Sequence, residues 1–345
     1  MGGHRGLEAG IVPAAGFRLD RLWLRSLRTV EPSVNTVADP VRLAASLPQA
    51  LALLVRWRPQ AVLATGGYVS IPVLTAAKAA RVPSLVWAGD RIPGRSIQAT
   101  ARLASAMAVS FEGSCESLVE PCFLTGTPIR PLAGIDRVAA RERLKLPAGG
   151  PLLLVFGGSQ AVRRLNEAVA GALPDLLERT AVLHITGEPA YADAMRRREA
   201  LPEVRRALYR PYPSLHGEMA DALVAADLLV GRAGSSTLAE AAAVGLPLVV
   251  VPYPHAAAHQ VANARQLVDA GAAIVIADED FDAAALLEAS RLLRDAGALE
   301  RMSAASRAQA RPAAARAVAE LLLSLAERRP LPSRDQLTRL SREAA

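Results

Sequence analysis

Short apolar runs recur along most of the chain, each followed by a stretch of helical composition. This alternation constrains the fold more than any other feature of the sequence, because it is the signature of βαβ units and parallel sheets. A strand buried on both faces reads as an unbroken run of Val, Ile, Leu and Ala. Runs at 61–65, 84–87 and 107–111 form a first series, and runs at 152–156, 182–186, 227–230 and 248–251 a second. Helices are expected at 71–80, 137–144, from 160 to about 173, and at 191–200, 236–244, 260–270, 283–296 and 312–328. Pro128, Pro131 and the turn-rich stretch 147–151 separate the two series. The expected organisation is a domain at 1–133, a second at 134–328, and a loose polar tail at 329–345.

The 345 residues are 51% hydrophobic and 21% charged, which excludes a disordered chain. No run approaches the ~20 apolar residues of a membrane span, and the start MGGHRGLEAG has no apolar core of a signal peptide. The two cysteines, Cys115 and Cys122, lack metal or redox spacing, so a reducing cytoplasm is the expectation. A net charge of +7 suits a nucleic acid or an anionic membrane, but 4% aromatics and no stacking motif argue against nucleic acid. Arg18, Arg21, Arg25 and Arg28 alternate with Phe17, Leu19, Leu22, Trp23, Leu24 and Leu27. That mixture reads either as a bilayer-surface segment or as a core segment with a solvated basic side.

Three segments carry chemistry. Gly157-Gly158-Ser159 follows an apolar strand and precedes a helix, where backbone N–H groups and the helix dipole favour a phosphate. The alternative is a plain tight turn. Gly231-Arg232-Ala233-Gly234-Ser235-Ser236-Thr237 repeats the arrangement, with Glu240 placed to accept hydrogen bonds from a ribose diol. Here the alternative is an N-cap serine with a solvated Glu240. Two such loops on neighbouring strands would share one crevice, which makes the pair more informative than either alone. His255 and His259 are four apart but lack the HExxH glutamate, so no metal site is expected.

Taken in order, these residues resemble the MurG family of bacterial glycosyltransferases. The signatures are Arg5-Gly6-Leu7-Glu8-Ala9, Gly66-Gly67-Tyr68-Val69-Ser70, Thr125-Gly126-Thr127-Pro128-Ile129-Arg130, and Gly157-Gly158-Ser159-Gln160 with Asn166. Ala226-Asp227-Leu228, Arg232-Ala233-Gly234 leading to Glu240, and Pro254-His255 with His259-Gln260 and Asn263-Ala264 complete the series. The resemblance implies an α/β GT-B fold: two Rossmann-like domains with parallel sheets facing across a cleft, the last helix returning to the first. It implies an inverting transfer of GlcNAc from UDP-GlcNAc to lipid I, without a cofactor or obligatory metal, at the cytoplasmic face of an anionic membrane. Ser159 would bind the donor diphosphate, and Ser235, Ser236, Thr237, Leu238, Ala239 and Glu240 would line the nucleotide, with Glu240 on the ribose. Gln260 would meet the GlcNAc hydroxyls, Arg130 the sugar–phosphate, and Gly66 and Gly67 the acceptor diphosphate. Asp90, Asn166 and Tyr212 are further candidates, Tyr212 as a uracil neighbour.

The chain also departs from the family pattern. The family's first βα unit, with its GGTGGH loop and base-candidate histidine, has no counterpart, so the first domain is expected to be incomplete and His4 is not that histidine. The family's HEQN segment reads Trp87-Ala88-Gly89-Asp90. No residue is assigned as general base. A transferase with another lipid acceptor and a catalytically impaired nucleotide-sugar binder remain alternatives.

Overall fold

The computed structural model describes residues 1–4, 8–24, 34–157, 163–215, 217–254 and 257–343, with the side chains of all but 34–40 and 257. The elements run α1 Glu8–Ala14, α2 Val34–Trp57, β1 Val62–Ala64, α3 Ser70–Ala79, β2 Ser84–Ala88, α4 Arg95–Ala101, β3 Ala106–Val109 and β4 Cys122–Leu124. Then come α5 Arg137–Arg143, β5 Leu152–Phe156, α6 Arg163–Leu176, β6 Ala181–Ile185, α7 Glu188–Glu199, α8 Glu203–Arg206, β7 Tyr209–Tyr212 and α9 Met219–Ala225. The chain finishes with β8 Leu228–Gly231, α10 Ser235–Val244, β9 Leu248–Val250, α11 Ala257–Asp269, β10 Ala273–Val275, α12 Ala283–Ser290, α13 Ala296–Ala308, α14 Ala314–Ala326 and α15 Arg334–Arg342. Two compact units result: 1–126 with 315–341, and 127–314 with 342–345. The division falls at 126/127 rather than at the expected 133/134.

In the first unit β1-β2-β3-β4 form a parallel sheet in sequential order. Alternate residues of its central strands enter different cores, which is why these strands read as unbroken apolar runs. Val86, Ala88, Met107 and Val109 pack with Leu74 of α3 and Ile97 of α4. Leu85, Ala106 and Ala108 pack with Ala317, Val318 and Leu321 of α14 and Leu337 of α15.

The expectation of a loose tail is therefore corrected. Arg334–Arg342 is helical, and Leu337 is fully buried against the sheet. Its sequence is mostly polar because only one stripe of so short a helix faces the core. Leu337→Ala is expected to destabilise the first unit by about 2–5 kcal/mol, the usual cost of emptying a buried leucine site. Urea unfolding measures this, and an unchanged midpoint would show that the tail carries no core contact.

The described part of the N-terminal basic segment, 17–24, forms no helix. Leu22 and Leu24 are buried with Leu54 and Val73, whereas Trp23 between them is exposed, the period-2 alternation of a strand-like stretch. Arg18 pairs with Asp20 and lies 4.6 Å over the Trp57 ring. Arg25, Leu27 and Arg28 lie outside the described residues.

Cys115 and Cys122 form a disulfide, their Cα atoms 5.7 Å apart. This corrects the reading of the two cysteines as unpaired thiols: their spacing carries no metal or redox pattern, and it is the packing of β4 beside the 114–117 turn that brings the sulfurs together.

The second unit has six parallel strands in the order β10-β9-β8-β5-β6-β7. Counted within this unit, that is the 3-2-1-4-5-6 order of a dinucleotide-binding sheet, whose switch point lies between its first and fourth strands, here β5 and β8. Phe156 at the end of β5 stands in register with Gly231 at the end of β8. The two glycine-bearing loops thus leave adjacent strands at the carboxyl edge, where open α/β sheets bind ligands.

Candidate functional site

Gly231 is required by this junction. A Cβ there would lie 2.6 Å from the Phe156 carbonyl oxygen, so any side chain would push β5 and β8 apart. Gly234 then caps α10 in an extended conformation (φ −68°, ψ 141°) without a side-chain cap. Neither Ser235 nor Ser236 serves as the N-cap, so the alternative reading of this loop is not what forms. The first-turn N–H groups of α10 carry no side-chain cap and can meet an anion. Ser235 and Thr237 are half-buried, Ser236 is exposed and Leu238 is buried.

Glu240, one turn into α10, is buried rather than solvated. Its Oε1 accepts a hydrogen bond from Arg130 Nε at 2.7 Å. The sequence reading named both residues as donor contacts, and the fold brings them together across 110 positions. Gln260 on α11 accepts from the Tyr253 N–H at 2.9 Å and the Ala233 N–H at 3.3 Å. Its carbonyl therefore pins the loop after β8 to the loop after β9, and its amide N–H groups make no hydrogen bond among the described residues.

Two further residues hold this loop. Buried Asn263 donates to the Ala233 carbonyl at 3.2 Å. Arg232 donates to the carbonyls of Val251 and Pro252 and pairs with Asp278. Both occur in the motif series, but sequence reasoning gave them no task. A polar residue amid apolar neighbours was the available signal.

Ser159 and the rest of 158–162 lie outside the described residues, as do His255 and Arg5-Gly6-Leu7. Asn166 sits in the first turn of α6, with its amide engaged by β6: Nδ2 donates to the Thr186 carbonyl and Oδ1 faces His184. Tyr212 is not brought to the switch point. It ends the edge strand β7, two strands from β5, and its hydroxyl donates to the Leu144 carbonyl. Burial pushes this hydroxyl's pKa above the usual tyrosine value.

A cavity of about 710 Å³ opens beside α6 and α7, with His184, Asn166, Thr186, Arg197 and Tyr253 in its lining. In the first unit, Gly66 and Gly67 follow β1 with φ of 90° and 77°, the left-handed region that glycine tolerates. Asp90 follows β2 and is exposed, as is His4.

Comparison with known proteins bears on the family and the fold. The Glycosyltransferase family 28 C-terminal domain matches residues 152–318, and the N-terminal domain of the same family matches 1–109. Among curated relatives, the UDP-N-acetylglucosamine--N-acetylmuramyl-(pentapeptide) pyrophosphoryl-undecaprenol N-acetylglucosamine transferase of Desulforamulus reducens is 33% identical, over 91% of this chain and 86% of its own. The chain belongs to the MurG family. The enzyme of the same name from Anaeromyxobacter dehalogenans 2CP-C is 36% identical over 95% of this chain and 85% of its own. Acinetobacter baumannii MurG superposes with a TM-score of 0.72 at 24% identity, covering 93% of this chain and 89% of that one. The Neisseria meningitidis UDP-GlcNAc 2-epimerase bound to UDP-GlcNAc gives 0.63 at 11% identity, covering 93% and 90%. These likenesses establish the GT-B fold, which hosts more than one chemistry.

Proposed function

We infer that this MurG-family chain transfers N-acetylglucosamine from UDP-GlcNAc to lipid I, with inversion at the anomeric carbon, in peptidoglycan synthesis. The observation that carries this reading is the β5/β8 crevice with the Arg130–Glu240 pair beside the first turn of α10. Glu240 binds the ribose, while Ser235, Ser236 and Thr237 with Ser159 meet the diphosphate and Leu238 and Ala239 line the nucleotide. Gln260 turns its amide N–H groups to the sugar hydroxyls, and Arg130 meets the sugar–phosphate. Charge developing on the departing UDP is met by backbone donors and the helix dipole rather than by a cofactor. Gly66 and Gly67 receive the acceptor diphosphate, and Asp90 is a further candidate contact. The acceptor hydroxyl attacks as its proton is removed, a step general-base catalysis typically speeds by about 10²–10⁴-fold.

The test is a turnover assay with UDP-GlcNAc and lipid I, scored by UDP release and product mass. A product one N-acetylhexosamine heavier than lipid I is expected. Turnover only on other glycolipids would reassign the acceptor, and donor binding without turnover would make the chain a binding protein.

We further propose that the first unit docks on an anionic membrane at its cytoplasmic side. Among the described residues no helix is long and apolar enough to cross a bilayer. Leu47, Leu51 and Val55, at helical i+4 spacing, instead expose an apolar line on α2, with Trp57, Trp23 and Phe17 also exposed. Arg56 and Arg58 flank it, matching apolar insertion with phosphate contact. Leu51→Glu with Val55→Glu is expected to weaken co-sedimentation with phosphatidylglycerol vesicles by about tenfold or more, as each inserted side chain contributes roughly 1.5–3 kcal/mol. Equal sedimentation of variant and parent would remove this docking face.

A further inference from the structure

We propose that His184 is a positioning residue for the donor diphosphate, acting through Asn166 on the first turn of α6. This rests on the donor reading above and adds residues that no donor contact requires. His184 on β6 and Tyr209 on β7 are both almost completely buried. Tyr209 Oη lies 3.0 Å from His184 Nδ1, His184 Nε2 lies 2.8 Å from Asn166 Oδ1, and Asn166 Nδ2 lies 2.9 Å from the Thr186 carbonyl oxygen.

One fixed point determines every proton in this chain. A backbone carbonyl can only accept, so the Asn166 group facing Thr186 is its NH2. The group facing His184 is then the amide oxygen, also an acceptor, so His184 carries its hydrogen on Nε2. The neutral ring is left with a lone pair on Nδ1, and the Tyr209 hydroxyl must donate to it. The single Thr186 hydroxyl hydrogen is shared between the carbonyls of Gly187, at 3.0 Å, and Tyr212, at 3.2 Å.

The chain starts at β7, passes through β6 and ends by fastening the fourth residue of α6 to the carbonyl of Thr186, the residue that follows β6. In an α/β crevice, the N-terminus of a helix in this place is the receptor for phosphate. An imidazole held in one tautomer fixes which way the Asn166 amide points, and so fixes where that receptor sits. The bland reading is a satisfied core histidine that contributes stability alone. The two readings part on donor affinity measured where the protein is fully folded.

Asn166→Asp keeps the size of the side chain but turns an oxygen toward the Thr186 carbonyl. We expect it to raise KM for UDP-GlcNAc by about tenfold or more, in line with what small misplacements cost, with kcat changed far less. Calorimetric binding of UDP-GlcNAc should weaken in parallel. Tyr209→Phe, one link further away, should raise KM by a smaller factor, about two- to fivefold. Nitrogen NMR of the wild type should show His184 protonated at Nε2 alone, and Tyr209→Phe should perturb that signature.

A KM within about twofold of wild type in Asn166→Asp, or a His184 proton on Nδ1, would overturn the inference while leaving the donor reading intact. If Asn166→Asp does not fold, Tyr209→Phe decides: an unchanged KM overturns the inference and a raised one supports it. A wild-type chain that binds no UDP-GlcNAc would overturn the donor reading, and this inference with it.

Discussion

Glu240→Ala is expected to weaken UDP-GlcNAc binding by roughly 10- to 150-fold, since hydrogen bonds to a charged group contribute about 1.5–3 kcal/mol each. The side chain is buried, lies one turn from the uncapped start of α10, and holds Arg130 Nε at 2.7 Å. The loss therefore has two parts, the ribose contact and the orientation of Arg130. A double-mutant cycle separates them. Arg130 is partly exposed and solvent screens the pair, whereas Glu240 is buried, so the cycle is read on binding rather than on stability. If Glu240→Ala and Arg130→Ala each weaken binding but the double variant is no worse than either, the two act as one unit. Calorimetry with UDP-GlcNAc and with UDP alone reads all four proteins. Unchanged affinity in Glu240→Ala would remove the carboxylate from the ribose.

The second large effect concerns acid. Burial lowers the His184 pKa from 6.5 to about 3. The unfolded chain therefore takes up a proton at this residue below pH 6.5, while the folded chain does not until near pH 3. The histidine's contribution is fully present above pH 6.5 and is lost as the pH falls toward 3, with a limiting slope of about 1.4 kcal/mol per pH unit. In His184→Leu, Tyr209 and Asn166 lose their partner, so that variant is less stable than wild type at pH 7. It lacks the titration, however, so the stability gap should narrow between pH 7 and pH 4.5 by about 2–3 kcal/mol. Chemical denaturation at several pH values measures the gap, and a constant gap would exclude this titration.

Much of the fold was legible because the central strands are buried on both faces. The run 152–156 is the strand Leu152–Phe156 itself, and the helix expected at 236–244 forms as Ser235–Val244, closed by Gly245 with φ 69°. The elements that escaped notice have identifiable reasons. Tyr209–Tyr212 contains Pro211 and lies at a sheet edge, where proline is tolerated and apolar patterning is weak. Ala273–Val275 is the opposite edge strand, with two of its three residues exposed. Val34–Trp57 includes Pro40 and Pro48, which read as breaks rather than as the interior of a 24-residue helix.

The candidate site was legible where residues stand in local motifs and opaque where distant residues support one another. Glu240 and Gln260 stand out by their place in local motifs, and Arg130 through the family resemblance. His184, Tyr209 and Asn263 work through contacts between distant elements, and nothing local in the sequence marks a histidine that must stay neutral or an asparagine that must hold a loop. Tyr212, expected as a uracil neighbour, ends the edge strand β7 with its hydroxyl on the Leu144 carbonyl, a contact nothing local in the sequence marks.

The cover of the first sheet by α14 and α15 bears on how this protein can be recombined. One face of that sheet is finished only by residues 315–341, which arrive after the whole second unit has been made. A chimera that exchanges only the N-terminal segment at residue 126 would therefore mate Leu85, Ala108 and Phe123 with foreign helices. Transplanting the first unit between relatives requires two coordinated crossovers, with both C-terminal helices travelling alongside the N-terminal segment.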